Sequence, residues 1–167
     1  MRNAIVAAVF LAFSSVEAGA ADPLKAAVFD LQLVDTSLEG EMSGAAAERQ
    51  RLEMLSERLR EALAASERYE VVDIAPVREA AAGQNLQACG GCDVRLAAEV
   101  SADVSVTGFV QKVSNLILTI NIMVRDVETG KMVEGHSADI RSNTDESWQR
   151  GLDWLLEHRL LATEASK

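Results

Sequence analysis

Residues 103–112 read DVSVTGFVQK and residues 115–126 read NLILTINIMVRD. In the first, Val104, Val106, Gly108 and Val110 fall at alternate positions; in the second, Leu116, Leu118, Ile120, Ile122 and Val124 do. A period of two marks strands with one face turned to a core. Glu128-Thr129-Gly130-Lys131 follows as a hairpin turn in which Gly130 suits a positive φ. Residues 132–141 complete an antiparallel meander of three strands.

Working outward, residues 93–100 read as a short helix with Leu96, Ala97 and Val100 turned inward. Before it, Pro76 opens a helical stretch over 76–82 that Gly83 ends. Residues 69–74 (YEVVDI) and 25–34 (KAAVFDLQLV) read as strands. Between them, apolar residues at 52, 55, 59, 62 and 63 share one helical face, and Arg49, Glu53, Glu57, Arg58, Arg60 and Glu61 form the other. That helix runs over 45–66, with Ser43 suited to cap it. After the meander, Asn143 or Thr144 caps a last helix, with Asp145 and Glu146 in its first turn. Trp148, Leu152, Leu155, Leu156 and Leu160 form its buried stripe, and residues 164–167 read as a fraying end. The order is β-α-β-α-β-β-β-α. An α/β sandwich follows: one mixed sheet of about five strands with helices packed on it, the first two strands parallel through a helical crossover.

The amino terminus has the pattern of an address. Arg2 is followed by an uncharged run over residues 4–13, and Ala18-Gly19-Ala20 supplies a small-residue cleavage site. The run is shorter than the roughly 20 residues needed to span a bilayer. The expected organisation is a signal peptide over 1–20 and a single α/β domain over 21–167. No Cys stands at the cleavage site, so no lipid anchor is expected, and no later segment reads as a membrane span. The expected location is the periplasm. The whole chain has 167 residues, 16 Lys+Arg against 26 Asp+Glu, and a net charge of −10. Arg2 and Glu17 leave together on cleavage, so the charge belongs to the exported domain. An acidic surface argues against binding nucleic acid, which needs a basic face.

Residues 92–130 carry a resemblance. A helix leads into Ala102-Asp103, Gly108 sits within the strand, and a later strand ends Asp126-Val127-Glu128-Thr129-Gly130. This is similar to the amino-terminal domain of the TolB envelope protein and to the curli-secretion lipoproteins. Val28-Phe29-Asp30, residues 35–40 (DTSLEG) and residues 142–148 (SNTDESW) resemble a family of small secreted proteobacterial proteins of unknown function. The resemblance implies a periplasmic α/β domain and brings no reaction with it.

Cys89-Gly90-Gly91-Cys92 is the most chemical motif. In an oxidising compartment the two Cys form a short disulfide, and Gly90-Gly91 lets so small a loop close. A structural staple is the first reading. Thiol–disulfide exchange is the second, since a Cys before a helix has a lowered pKa. Metal binding is the third. His136 and His158 lie in no ligand-spaced cluster. Asp30, Asp35, Glu39 and Glu41 read as a solvated acidic loop in preference to a cation site. No nucleophile stands in a Gly-x-Ser-x-Gly elbow, and no Gly-rich loop follows a strand to cradle phosphate. The residues thus point to no catalytic set, no metal and no cofactor, and away from an enzyme.

Asn121 and Arg125 lie on the sheet face opposite Ile120 and Val124, with Ile117, Thr119 and Met123. Such a mixed face is either covered by a helix, with Arg125 reaching solvent, or a partner surface. The function expected is a non-enzymatic binding or assembly module with an envelope protein as its partner; the alternative is a redox protein using Cys89 and Cys92. Candidate contact residues are Asp35, Thr36, Ser37, Glu39, Asn121, Arg125 and Trp148.

Overall fold

The computed structural model describes residues 22–37 and 45–162. The leader expected over 1–20, the Ser43 cap, Glu39, Glu41 and the segment 164–167 lie outside the described residues. The elements run β1 (Leu24–Val28), β2 (Gln32–Asp35), α1 (Ala45–Ala64), β3 (Tyr69–Val71), α2 (Arg78–Ala82), α3 (Cys92–Glu99), β4 (Val104–Ser114), β5 (Ile117–Asp126), β6 (Met132–Ile140) and α4 (Asp145–Leu155), which continues as a π-helical turn, Leu156–Leu160. This is an α/β fold with one mixed sheet in the order β3-β1-β4-β5-β6, and β2 also pairs with β4. β1 is parallel to β3 and β4, while β4, β5 and β6 form the antiparallel meander.

The sheet has six strands where five were expected, because the stretch read as one strand over 25–34 is two. Val28 pairs with Val106 and Gln32 with Phe109, so four steps along the first strands match three along β4. The extra residue reverses which side chains face inward beyond it. Ala26 and Val28 enter the main core before the break, and Leu31 does so after it. An uninterrupted strand would send Val28 and Leu31 to opposite faces. The Leu31 N–H donates to Ser56 Oγ of α1 at 2.9 Å, which satisfies a backbone group at the break.

The main core lies between the sheet and the pair α1 and α4. Leu55, Leu59 and Leu63 meet Trp148, Leu152, Leu155 and Leu160, all with no exposed surface, over Val106, Val110, Ile120 and Ile122. Thr144 caps α4, its hydroxyl accepting from Ser147 N–H. A smaller core lies on the other face, where α2 and α3 bring Val77, Ala81, Leu96 and Ala97 against Ala27 and Phe29. Among the described residues, these two short helices cover the β1 side of that face and leave much of β5 and β6 without a helix. Leu116, expected on the core face, is instead 70% exposed. The β4–β5 ladder slips by one residue between Lys112 and Ser114, which puts Leu116 in the turn before β5 begins at Ile117.

Candidate functional site

Alternation in β5 sends Leu118, Ile120, Ile122 and Val124 to the main core and Ile117, Thr119, Asn121, Met123 and Arg125 to the opposite face. Thr119, Asn121, Met123 and Arg125 are half-buried, and Ile117 is 60% exposed. A polar ladder crosses from β5 to β6: Ser137 Oγ donates to Asn121 Oδ1 at 2.7 Å, and Thr119 Oγ1 donates to Asp139 Oδ1 at 3.0 Å. Asn121 is held in place by the ladder, its amide also donating to the Thr119 carbonyl. At the ends of the face, where the ladders slip, Val113 and Val133 are exposed. The result is a mixed face, with a polar ladder at its centre and exposed apolar residues at its ends.

The other expected contact residues do not all gather here. Arg125 pairs with Ser105 at the far end of β4, and its guanidinium lies 3.8 Å from the buried Asp93 carboxylate of α3. Ser105 Oγ also donates to Asp93, at 3.0 Å. Arg125 therefore belongs to the boundary between the smaller core and the open face. Asp35 and Thr36 lie near the opposite end of β4, where Thr36 N–H donates to the Lys112 carbonyl at 2.9 Å. Asp35 Oδ1 accepts from both the N–H and the hydroxyl of Ser37. Trp148 has no exposed surface. It packs in the main core and is left out of the contact surface. Asp30, read as part of an acidic loop, is engaged by Arg60 and Arg78.

Sequence reading missed a buried ionic cluster. Lys112, 2% exposed, sets its Nζ 2.6 Å from Glu48 Oε1 and 3.3 Å from Asp35 Oδ2. Asn143 Nδ2 donates to the same Glu48 oxygen at 2.8 Å and to Asn115 Oδ1 at 2.9 Å. Arg51 joins Asn143 and Asp145 to α1. A cleft of about 470 Å³ opens beside these groups. Two signals were available: Lys112 continues the inward phase of Val106 and Val110, and Glu48 lies one turn before Leu52 on the apolar stripe of α1. Burial pushes the Lys112 ammonium down, but its hydrogen bonds to Glu48 and Asp35 outweigh that and hold its pKa above the ordinary value. An ammonium so held is no nucleophile at neutral pH. Burial acts to raise the Asp35 carboxyl, but the hydroxyl and N–H of Ser37, with Lys112, hold it below the ordinary range. The raised Lys112 contributes stability that is complete below its unfolded pKa and lost as pH rises through its folded one. The depressed Asp35 contributes stability present above about pH 4 and lost as pH falls through its folded value. Denaturation midpoints measured across pH should show both limbs, and Asp35→Asn should make the acid limb shallower.

Cys89 and Cys92 form a disulfide with a Cα–Cα distance of 5.6 Å. Gly90 and Gly91 close the loop at φ values of 67° and 91°, which favour glycine. Cys92 is the first residue of α3 and is buried in the smaller core, while Cys89 is half-buried. The Cys92 N–H donates to Cys89 Sγ at 3.2 Å. Among the described residues, no three His, Cys, Asp or Glu gather as a metal would require, and no helix is long and apolar enough to cross a membrane.

The family model DUF3280, described as a protein of unknown function (DUF2380), matches residues 24–160. No curated protein matches the chain. Among solved structures, the chain is similar to the LpoB C-terminal domain from Escherichia coli, at 18% identity and a TM-score of 0.52, over 74% of this chain and 87% of that one. It is also similar to the LpoB C-terminal domain from Salmonella enterica, at 15% identity and a TM-score of 0.50, over 75% of this chain and 87% of that one. At such identities the likeness is one of fold.

Proposed function

The chain belongs to the DUF3280 family of unknown function, and on that premise we propose that it is a non-enzymatic binding or assembly module of the periplasm, exported by a cleaved leader over residues 1–20. The observation that carries this reading is the face of the meander that no described helix covers. Ile117 is 60% exposed at one end, and the ordered Thr119–Asp139 and Asn121–Ser137 pairs lie beside it. Ordered polar groups beside exposed apolar side chains are a composition that protein contacts use. The likeness to the LpoB C-terminal domain supports the fold and lends no partner. The resemblance of residues 92–130 to TolB and curli-secretion domains points to an envelope protein as the occupant. Ile117→Glu should abolish stoichiometric capture of a periplasmic partner while leaving the free energy of unfolding within about 0.5 kcal/mol of wild type, as surface substitutions do. Equal capture by wild type and variant would remove the reading.

One observation favours a second reading. The half-buried Cys89 sulfur, accepting an N–H from the first turn of α3, has the placement of an exchanging thiol. A reduction potential above about −300 mV marks an exchanging bond, and a lower one a structural bond. Replacing both Cys with Ser should cost about 2 kcal/mol in urea unfolding, the loop-closure value for so short a loop. A variant that keeps partner capture would leave the pair a staple.

A further inference from the structure

The two edges of the sheet are not alike. β3 closes one edge with three residues. β6 closes the other with nine, none of them proline, and among the described residues it pairs with β5 alone. A long edge strand offers a row of backbone N–H and C=O groups to another chain. Here the edge also has a wall. Ser147, Gly151 and Trp154 of α4 stand four and three apart and share one helical stripe, with Arg150 beside it, one turn before Trp154. With residues 137–141 they bound a groove of about 610 Å³.

Its chemistry is specific. A Cβ on Gly151 would meet Ile140 Cγ2 at 2.5 Å, so glycine lets α4 lie close against the strand. Trp154 is 43% exposed yet held in place, its ring stacked on His158 at 5.3 Å with the Arg159 guanidinium 5.5 Å from its centre. An aromatic ordered before binding loses little entropy on contact. Arg141 and Arg150 are exposed at the groove. The only ion pair Arg150 makes among the described residues is with Glu146 at 3.4 Å, with both side chains more than 70% exposed, a contact worth little. Asp139 accepts from Thr119 on the open face. Two arginines and one carboxylate, Asp139, thus line the groove, an excess of positive charge on a chain whose net charge is −10.

We propose that this groove takes an extended, acidic segment of a partner protein, which adds to β6 as a further strand, sets carboxylates against Arg141 and Arg150, and lays an apolar side chain on Trp154. Two copies paired antiparallel along the whole of β6 would set Arg141 of each opposite Lys131 of the other, like charges across the ladder, so the occupant is a different chain. The site shares Ser137 and Asp139 with the open face of the meander but is walled by α4, and Ile117 does not line it.

The probe is a short fluorescein-labelled peptide of the repeat Thr-Glu-Thr-Val, which sets glutamate and valine in turn on one face of an extended strand, titrated with the full chain at low salt and read by anisotropy. Matched peptides carry lysine for glutamate, or a central proline that cannot donate to a ladder. The glutamate peptide should bind. Binding should weaken at least about tenfold with the lysine peptide, with Arg141→Glu or with Arg150→Glu, and be lost with the proline peptide. Amide exchange should slow in β6. Ile117→Glu should leave peptide binding intact, so failure of the open-face reading and failure of this one are told apart. Absent binding, binding indifferent to peptide charge, retained binding of the proline peptide, protection confined to β4 and β5, or dimerisation of the chain in place of a complex would overturn the proposal.

Discussion

Glu48→Ala is expected to lower the free energy of unfolding by about 3–5 kcal/mol, the cost of removing one partner from a buried ion pair. Glu48 is 3% exposed, and its Oε1 receives both Lys112 Nζ and Asn143 Nδ2. Without it, Asn143 keeps Asn115, but among the described residues Lys112 keeps only Asp35, at 3.3 Å. A nearly inaccessible ammonium then has half its compensation. For a domain whose total stability is about 5–15 kcal/mol, the loss is a large fraction. The double variant Glu48→Leu with Lys112→Met should regain most of it, because replacing both charges by apolar groups of similar volume removes the desolvation cost together with the attraction. Urea unfolding of the two singles and the double measures the coupling directly. A single variant within about 1 kcal/mol of wild type would mean that the cluster contributes nothing.

That cluster also marks what the sequence made legible. The meander could be read because one of its faces is packed on the main core throughout while the other is only partly covered, so apolar residues recur at alternate positions along β4 and β5. The stripe of α4 could be read for the same reason, and it places Trp148 inward and Trp154 outward, as the structure does. The break between β1 and β2 was hidden because β1 is packed on both faces. Ala26 and Val28 enter one core and Ala27 and Phe29 the other, so no polar residue marks the phase until Asp30. Lys112 and Glu48 were legible in principle from phase alone, but charged residues at the ends of elements are usually solvated, and only tertiary packing brings them together. The groove beside β6 depends on where α4 crosses the sheet edge, which no local pattern encodes. Of the candidate contacts, Asn121 lies on the open face, Arg125 at its boundary with the smaller core, and Asp35 near the opposite end of β4.

Trp148→Ala should be about as damaging as the loss of Glu48, near 3–5 kcal/mol, or on the order of 10 °C in thermal midpoint. The side chain has no exposed surface and lies among the leucines that α1 and α4 bring together, with the Arg51 guanidinium 5.9 Å from its ring centre. Its truncation opens a cavity where the two helices and the sheet meet, and neither helix can settle without disturbing the other. Trp148→Phe should cost well under half as much. The indole Nε1 is buried with no hydrogen-bond partner among the described residues, so phenylalanine keeps most of the apolar contact and removes an unsatisfied donor. The pair of variants separates the two roles a tryptophan could have. If Trp148 touched a partner, capture would fall while the midpoint stayed level, the pattern expected of Ile117→Glu. Burial requires the reverse: the midpoint falls, and capture measured well below it is unchanged. Thermal unfolding and partner capture on the same two variants decide between them.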